Sequence, residues 1–162
     1  MTTHTIYCPP ELRSLWPRPL AREWRERYPM IFDDLDFEQA ESQRSKHFFE
    51  WFTAIHLFHS GGYLSLIEKA QFGVRHPRKN GVLRVVVGDV VLKELHALSD
   101  RHGAQWPDLF VYHGHSKEFW FAEVKGPGDT LSESQAAVNR SIEAELGIPV
   151  HQYLVRYPSG LP

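Results

Sequence analysis

Three charged residues stand inside apolar, strand-like sequence in the last third of the chain. Asp108 follows a proline, and Glu123 and Lys125 lie two residues apart at the end of an apolar run. Charge in such surroundings costs free energy unless it is paired or binds a metal. Carboxylates are hard oxygen ligands for Mg²⁺ or Mn²⁺, and the main-chain carbonyl of Val124 is a further candidate ligand. With a lysine to position water or stabilise developing charge, the set is suited to metal-assisted phosphodiester hydrolysis.

A β-hairpin is the element that must hold these residues together. Residues 109–112 are short, apolar and β-prone, Gly114 lies in a polar turn, and residues 118–125 form the returning strand. Side chains alternate along a strand, so Glu123 and Lys125 share one face with Phe119 and Phe121. Asp108 lies beside them if the two strands pair in register.

A helix and a strand are predicted after the hairpin. Gly126-Pro127-Gly128 breaks the strand, Thr130 or Ser132 can cap the next helix, and that helix runs to about Leu146. Residues 150–155 form a final strand, which the helical crossover can place parallel to its neighbour. These elements predict an α/β fold with a mixed central β-sheet flanked by helices.

The sequence before the hairpin predicts helices and leaves two segments open. Asp36 is a plausible N-cap for a long helix over residues 37–60, with apolar residues recurring every three or four positions. Residues 63–67 either begin the sheet or continue the helix. Residues 82–87 are β-branched and indicate a strand, although residues 90–98 have a helical period and that helix could begin earlier.

A family resemblance rests on the same residues. Pro107-Asp108, a gap of fourteen residues and Glu123-Val124-Lys125 resemble the PD-(D/E)XK nuclease signature, and the continuation to Gln135, EVKGPGDTLSESQ, closely resembles its VRR-NUC (virus-type replication-repair nuclease) branch. That branch includes the nuclease domain of the Fanconi-associated nucleases and small stand-alone phage and bacterial enzymes. The likeness is strong over about residues 103–155 and weaker over 37–62.

The resemblance implies a role for each matching residue. Asp108 and Glu123 would bind the metal, Lys125 would be the catalytic lysine, and Gln135 would help to shape the site, although the aromatic residue that often follows it in the family is absent here. The family also places a glutamate on the first helix of the domain. Glu50 is the candidate for that position, as a catalytic residue and a candidate metal ligand, and Glu41 is the alternative.

The resemblance further implies a restriction-endonuclease-like core over residues 37–162, with a helical N-terminal extension. Residues 1–36, rich in proline and tryptophan, would be an arm that packs on that domain or on a protein partner. The sequence does not decide between a monomer and a homodimer. The implied activity is structure-selective cleavage of branched, flapped or junction DNA with Mg²⁺ or Mn²⁺. Two alternatives stay open: a non-catalytic DNA-binding or partner-docking module with this fold, and a sequence-specific restriction-type endonuclease.

Composition limits the choice of partner and compartment. The chain has 162 residues, enough for one domain, and a net charge of −2, which is unlike most nucleic-acid binders. Its densest basic stretch is therefore the DNA-contact candidate, with a solvated turn as the alternative; it comprises Arg75, Arg78, Lys79 and Arg84. One cysteine, no membrane-length apolar run and no signal-peptide pattern predict a cytoplasmic or nucleoid-associated protein that is not secreted.

Overall fold

A five-stranded mixed β-sheet with helices on both faces forms the centre of the computed structural model, which describes residues 1–67 and 76–158. The elements, in chain order, are β1 (Thr2–Tyr7), α1 (Pro10–Ser14), α2 (Leu20–Arg27), α3 (Asp34–Ser42), α4 (Phe48–Gly61), β2 (Tyr63–Ile67), α5 (Pro77–Arg101), β3 (Leu109–His113), β4 (Phe119–Lys125), α6 (Glu133–Leu146) and β5 (Val150–Arg156). The predicted α/β class with a mixed, helix-flanked sheet is confirmed.

The strands lie in the order β1-β5-β4-β3-β2. Strands β2, β3 and β4 form an antiparallel meander, and the predicted hairpin is confirmed, with Leu109 opposite Ala122. Strand β5 pairs parallel to β4 after the crossover through α6, as predicted. Residues 63–67, which the sequence left open, are strand β2. The order places β4, the strand that carries Glu123 and Lys125, at the centre of the sheet.

Two apolar layers cover the faces of the sheet. Trp120, Ala122 and Val124 of β4 belong to a cluster that includes Phe48 and Trp51 of α4. Phe121 points the other way, into a second cluster with residues of α5 and α6. This alternation is the period of two expected for a strand. It also places the Glu123 and Lys125 side chains on the face covered by α6.

Residues 1–36 are part of the same sheet and core. Strand β1, which was not predicted, pairs parallel to β5 as an edge strand, and α2 (Leu20–Arg27) is one of the helices of this extension. The ring of Phe32 stacks on that of Trp51 with centroids 3.8 Å apart, and the ring of Trp16 meets Trp51 edge-on at 5.3 Å. The segment therefore packs on its own domain.

The single long helix predicted over residues 37–60 is wrong. The structure has two helices there, α3 and α4, separated by a turn that ends at His47. Asp33, and not Asp36, caps α3: its side chain accepts a hydrogen bond from Asp36 N, and the Asp36 carboxylate accepts one from Asp33 N. This capping box starts α3 earlier than predicted. The apolar stripe begins only at Phe48. The polar residues before it bury no apolar face that would hold one continuous helix together.

The strand predicted from the β-branched residues 82–87 is also wrong. These residues lie in α5, which contains one non-helical residue, Gly88, at φ 83°. Leu83 and Leu95 are fully buried on one side of α5, whereas the side chain of Val85 is 86% exposed. Burial of a helical stripe against the sheet overrides the modest strand propensity of valine. Among residues 1–67 and 76–158 no helix is long and apolar enough to cross a bilayer.

The ionised carboxyl group of Asp33 should make the free energy of unfolding depend on pH in acid. Burial raises its pKa, but hydrogen bonds from Asp36 N and from Arg78 outweigh that effect and hold the pKa at about 2. Such a group stabilises the fold above its unfolded pKa, and the stabilisation is lost as pH falls through the folded value. We expect Asp33→Asn, which keeps an N-cap acceptor, to be less stable than wild type at pH 7 by about 1 kcal/mol after allowance for solvent screening.

The measurement is urea unfolding of both proteins from pH 7 to pH 2. The two free energies of unfolding should converge between about pH 4 and pH 2, because the wild-type carboxylate takes up its proton there. Curves that stay parallel over this range would show that Asp33 does not carry the stabilisation.

Candidate active site

Glu123 and Lys125 form a buried ion pair near the carboxyl end of the central strand. Lys125 Nζ donates to Glu123 Oε1 at 2.6 Å, and the two residues are 7% and 0% exposed. Because β4 lies between β3 and β5, these residues are not an ordinary exposed pair on an edge strand. A buried pair of this kind is stable only if further hydrogen bonds satisfy its remaining polar atoms.

Gln135, in the first turn of α6, supplies two further hydrogen bonds to the pair. Its side-chain Nε2 donates to Glu123 Oε1 at 2.7 Å, and its Oε1 accepts from Lys125 Nζ at 3.2 Å. The same Oε1 accepts from Ser132 N at 3.1 Å and so closes the capping box of the helix. The cap that starts α6 therefore also fixes the amide over the ion pair.

Asp108 is brought to the pair by the register of the hairpin. It immediately precedes β3, and its Oδ2 accepts a hydrogen bond from Val124 N at 2.8 Å. Burial raises the pKa of Asp108 well above its usual range, and the neighbouring charges of Glu123 and Glu50 raise it further. Two carboxyl groups that repel each other in this way are where a proton or a cation is most strongly bound.

Glu50 lies at the site and Glu41 does not. Glu50 is in the first turn of α4; burial raises its pKa, while the charge of Lys125 lowers it and that of Glu123 raises it. Glu41 is in α3, where its carboxylate pairs with the exposed side chain of Arg18. The structure therefore brings Glu50 of the two predicted glutamates to Asp108, Glu123 and Lys125.

Asn139 belongs to the site and the sequence analysis missed it. It lies one helical turn after Gln135, so both side chains project from the same face of α6. Asn139 is 2% exposed, and its amide lowers the pKa of Glu123, which burial raises. Among the residues that the structure describes, none makes a hydrogen bond of ordinary geometry to Glu123 Oε2, and this oxygen is buried. The four-residue spacing from Gln135 was the signal that could have found Asn139.

The oxygen atoms of the site fit a hard divalent cation. In the described ranges no three His, Cys, Asp or Glu side chains form a metal cluster by themselves. The expected set differs from such a cluster, because it combines the carboxylates of Asp108 and Glu123 with the main-chain carbonyl of Val124. The unpartnered Glu123 Oε2 and the raised pKa values of both acids are what such a cation would relieve.

Two clefts open beside neighbours of the buried pair. The Asp108 cleft has a volume of about 350 Å³ and is lined by Gln105, Trp106, Asp108, Ser132 and Gln135. The Glu50 cleft has a volume of about 400 Å³; its lining includes Arg13, Lys46, His47, Phe49, Glu50, Val124, Gly126 and Asp129. Each cleft therefore joins solvent to one side of the predicted site residues.

No protein-family model matches this chain, and no curated protein matches it. The assignment of a function therefore rests on the residues and their geometry.

Two described members of the predicted basic patch, Arg78 and Lys79, are paired with Asp33 and Asp36. Lys79 is 1% exposed and its Nζ donates to Asp36 Oδ1 at 2.6 Å and to the carbonyl of Ile67 at 2.5 Å, so the prediction that it contacts DNA is wrong. Arg78 is bound to Asp33 and Asp36.

The other two members of the patch differ from each other. Arg84 is exposed and pairs with Asp89 at 2.8 Å. Arg75 lies outside the described residues.

Proposed function

We propose that this chain is a divalent-metal-dependent DNA nuclease that hydrolyses phosphodiester bonds in branched or flapped DNA. The observation that carries the proposal is the buried set of Asp108, Glu123 and Lys125, in which Gln135 binds Glu123 and Lys125 and Asp108 accepts from Val124 N. An ion pair with a purely structural role would not need a second carboxyl group with a raised pKa beside it. Nor would it need clefts lined by its neighbours. The preference for branched or flapped DNA rests on the VRR-NUC resemblance.

The order of elements agrees with the same proposal. Helix α4, the meander β2-β3-β4, helix α6 and strand β5 would be a restriction-endonuclease-like core, with β1 to α3 as an extension that completes its sheet and one apolar layer. The site lies where β3 begins and β4 ends, next to the start of α6. An enzyme of this class acts where DNA is held, in the cytoplasm or on the nucleoid.

Five residues of the site have defined parts in the proposed reaction. Asp108, Glu123 and the carbonyl of Val124 would hold Mg²⁺ or Mn²⁺, which when bound polarises the phosphate and acidifies a water molecule. Lys125 would donate a hydrogen bond to that water or to the phosphoryl oxygen that gains charge. Gln135 would hold Lys125 and Glu123 in position, as it does through its two contacts with them.

The test is cleavage of a labelled panel containing a four-way junction, a 5′ flap, a splayed arm, a single strand and plain duplex. Each substrate would be incubated with Mg²⁺, with Mn²⁺ and with EDTA. We expect metal-dependent cutting of a branched substrate by wild type and none by the folded Asp108→Ala, Glu123→Ala double variant. Full activity of the double variant would overturn the assignment, and wild type that binds but never cuts would favour the binding-module alternative.

Glu50 and Glu41 provide a matched pair of variants. We expect Glu50→Gln to slow cleavage by about ten- to a hundredfold. The change removes a negative charge beside Glu123 and Asp108 and so weakens the attraction of the site for the divalent cation. Glu41→Gln, the same change in a surface ion pair of α3, should cut at the wild-type rate. Cleavage rates at saturating Mn²⁺ and the Mn²⁺ concentration for half-maximal rate would be compared; equal rates for the two variants would remove Glu50 from the site.

A further inference from the structure

Two basic side chains, Arg13 and Lys46, line the Glu50 cleft, and neither is one of the proposed metal ligands. Arg13 comes from α1, and Lys46 and His47 come from the turn before α4. The lining also includes Glu50 and Val124, which belong to the proposed site. The cleft therefore connects a basic group of side chains to the acidic centre of the molecule.

Arg13 is held in place at the cleft. Its Nη2 donates to the carbonyl of Ser45 at 2.8 Å, and its guanidinium lies over the rings of Phe48 and Phe49, at 5.3 Å and 5.9 Å from their centroids. One of five N–H donors is used by the bond to Ser45. A guanidinium fixed by stacking loses little further entropy when it binds a phosphate.

Lys46 has an anchored backbone and an exposed side chain. Its N–H donates to the carbonyl of Gln43 at 2.8 Å, and its carbonyl accepts from Trp16 Nε1 at 2.8 Å. The next residue, His47, has φ 71°, a conformation that non-glycine residues rarely adopt. The surrounding contacts hold this turn so that Lys46 stands at the edge of the cleft, beside the amino end of α4, where the helix dipole adds positive potential.

We propose that the Glu50 cleft binds a phosphate of the DNA strand adjacent to the phosphate that is cleaved. This inference rests on the proposed nuclease function and assigns the strand's path through the site. A strand that enters past Arg13 and Lys46 has one phosphate neutralised there while its neighbour reaches Asp108 and Glu123. Contacts of this type position the backbone without reading its sequence. They also supply the basic contact that the buried Lys79 does not.

The experiment measures binding of labelled single-stranded oligonucleotides by fluorescence anisotropy in EDTA, where nothing is cut. Two unrelated base sequences are used at several salt concentrations. We expect Lys46→Gln to weaken binding about three- to tenfold for both sequences alike and to reduce the salt slope by about 0.7. Lys93→Gln, which removes the same charge from an exposed position on α5, should bind as wild type does.

Arg13 is tested with two variants because it also packs on aromatic rings. Arg13→Gln should weaken binding, and Arg13→Lys should recover most of the loss if charge is what the cleft supplies. A loss confined to one of the two base sequences would overturn the phosphate assignment, because phosphate contacts carry no sequence information.

Cleavage of the same strands in Mn²⁺ separates the two proposals. If wild type cuts and Lys46→Gln binds with unchanged affinity and salt slope, the cleft inference is overturned and the nuclease stands. If wild type cuts no substrate while Lys46→Gln still weakens binding, the nuclease proposal is overturned, and with it the placement of this phosphate next to a cleaved one.

Discussion

The Asp108→Asn variant should lose at least about a thousandfold in metal-dependent cleavage and yet unfold at a higher temperature than wild type in EDTA. The loss reflects the several kcal/mol of transition-state stabilisation that a bound metal provides. The gain in stability has a separate cause. Burial and the charges of Glu123 and Glu50 raise the pKa of Asp108, so its ionised form opposes folding, whereas asparagine carries no charge and can still accept from Val124 N.

The sign of the pH dependence follows from the raised pKa of Asp108. A folded state that holds its proton more tightly than the unfolded state loses stability as pH rises from the unfolded pKa to the folded one. Metal-free wild type should therefore lose stability over that range relative to Asp108→Asn. Thermal unfolding of both proteins in EDTA, from pH 4 to pH 8, measures the difference. A variant that unfolds below wild type throughout would contradict the electrostatic account of the site.

The Lys79→Met variant should lose roughly 3 kcal/mol or more of its free energy of unfolding. Lys79 and Asp36 are each 1% exposed and are joined at 2.6 Å, so methionine leaves a buried carboxyl group without its main partner. Breaking a buried pair by removing one member typically costs about 3–5 kcal/mol. This cost should appear as a shift in the urea midpoint with an unchanged slope.

Arg84→Gln is the matched control for Lys79→Met. Arg84 was predicted in the same basic patch, but it is exposed and its pair with Asp89 lies in solvent, so its loss should change stability by less than about 1 kcal/mol. At temperatures where Lys79→Met is folded, we expect it to bind oligonucleotides as wild type does. A stable Lys79→Met protein with weakened DNA binding would restore the surface role that the structure contradicts.

The sequence predicted the part of the fold where chain neighbours determine the structure. The hairpin, the helix after it and the last strand are joined by short turns, so periodicity and capping residues fixed their bounds to within a few residues. The same short connections explain why Asp108, Glu123, Lys125 and Gln135 could be placed together from sequence: a register and a capping box suffice.

The rest depends on contacts between distant parts of the chain. Strand β1 pairs with β5, about 150 residues later, and nothing in residues 2–7 indicates that partner. Residues 82–87 are helical because Leu83 and its neighbours bury a stripe on α5. Lys79 looked like a surface base because its partner, Asp36, is 43 residues away. Glu50 and Glu41 could not be separated until the break between α3 and α4 was known.

Titration of the protein with Mn²⁺ by calorimetry at pH 7.5 tests the central claim most directly, because it does not depend on the choice of DNA substrate. Wild type should bind Mn²⁺ saturably, and more weakly when the titration is repeated at lower pH, because burial raises the pKa of Asp108 and protons then compete with the metal for its carboxylate. Asp108→Asn should show neither the binding nor its dependence on pH. Wild type that binds no Mn²⁺, or a variant that binds it equally well, would contradict a metal site at Asp108 and Glu123.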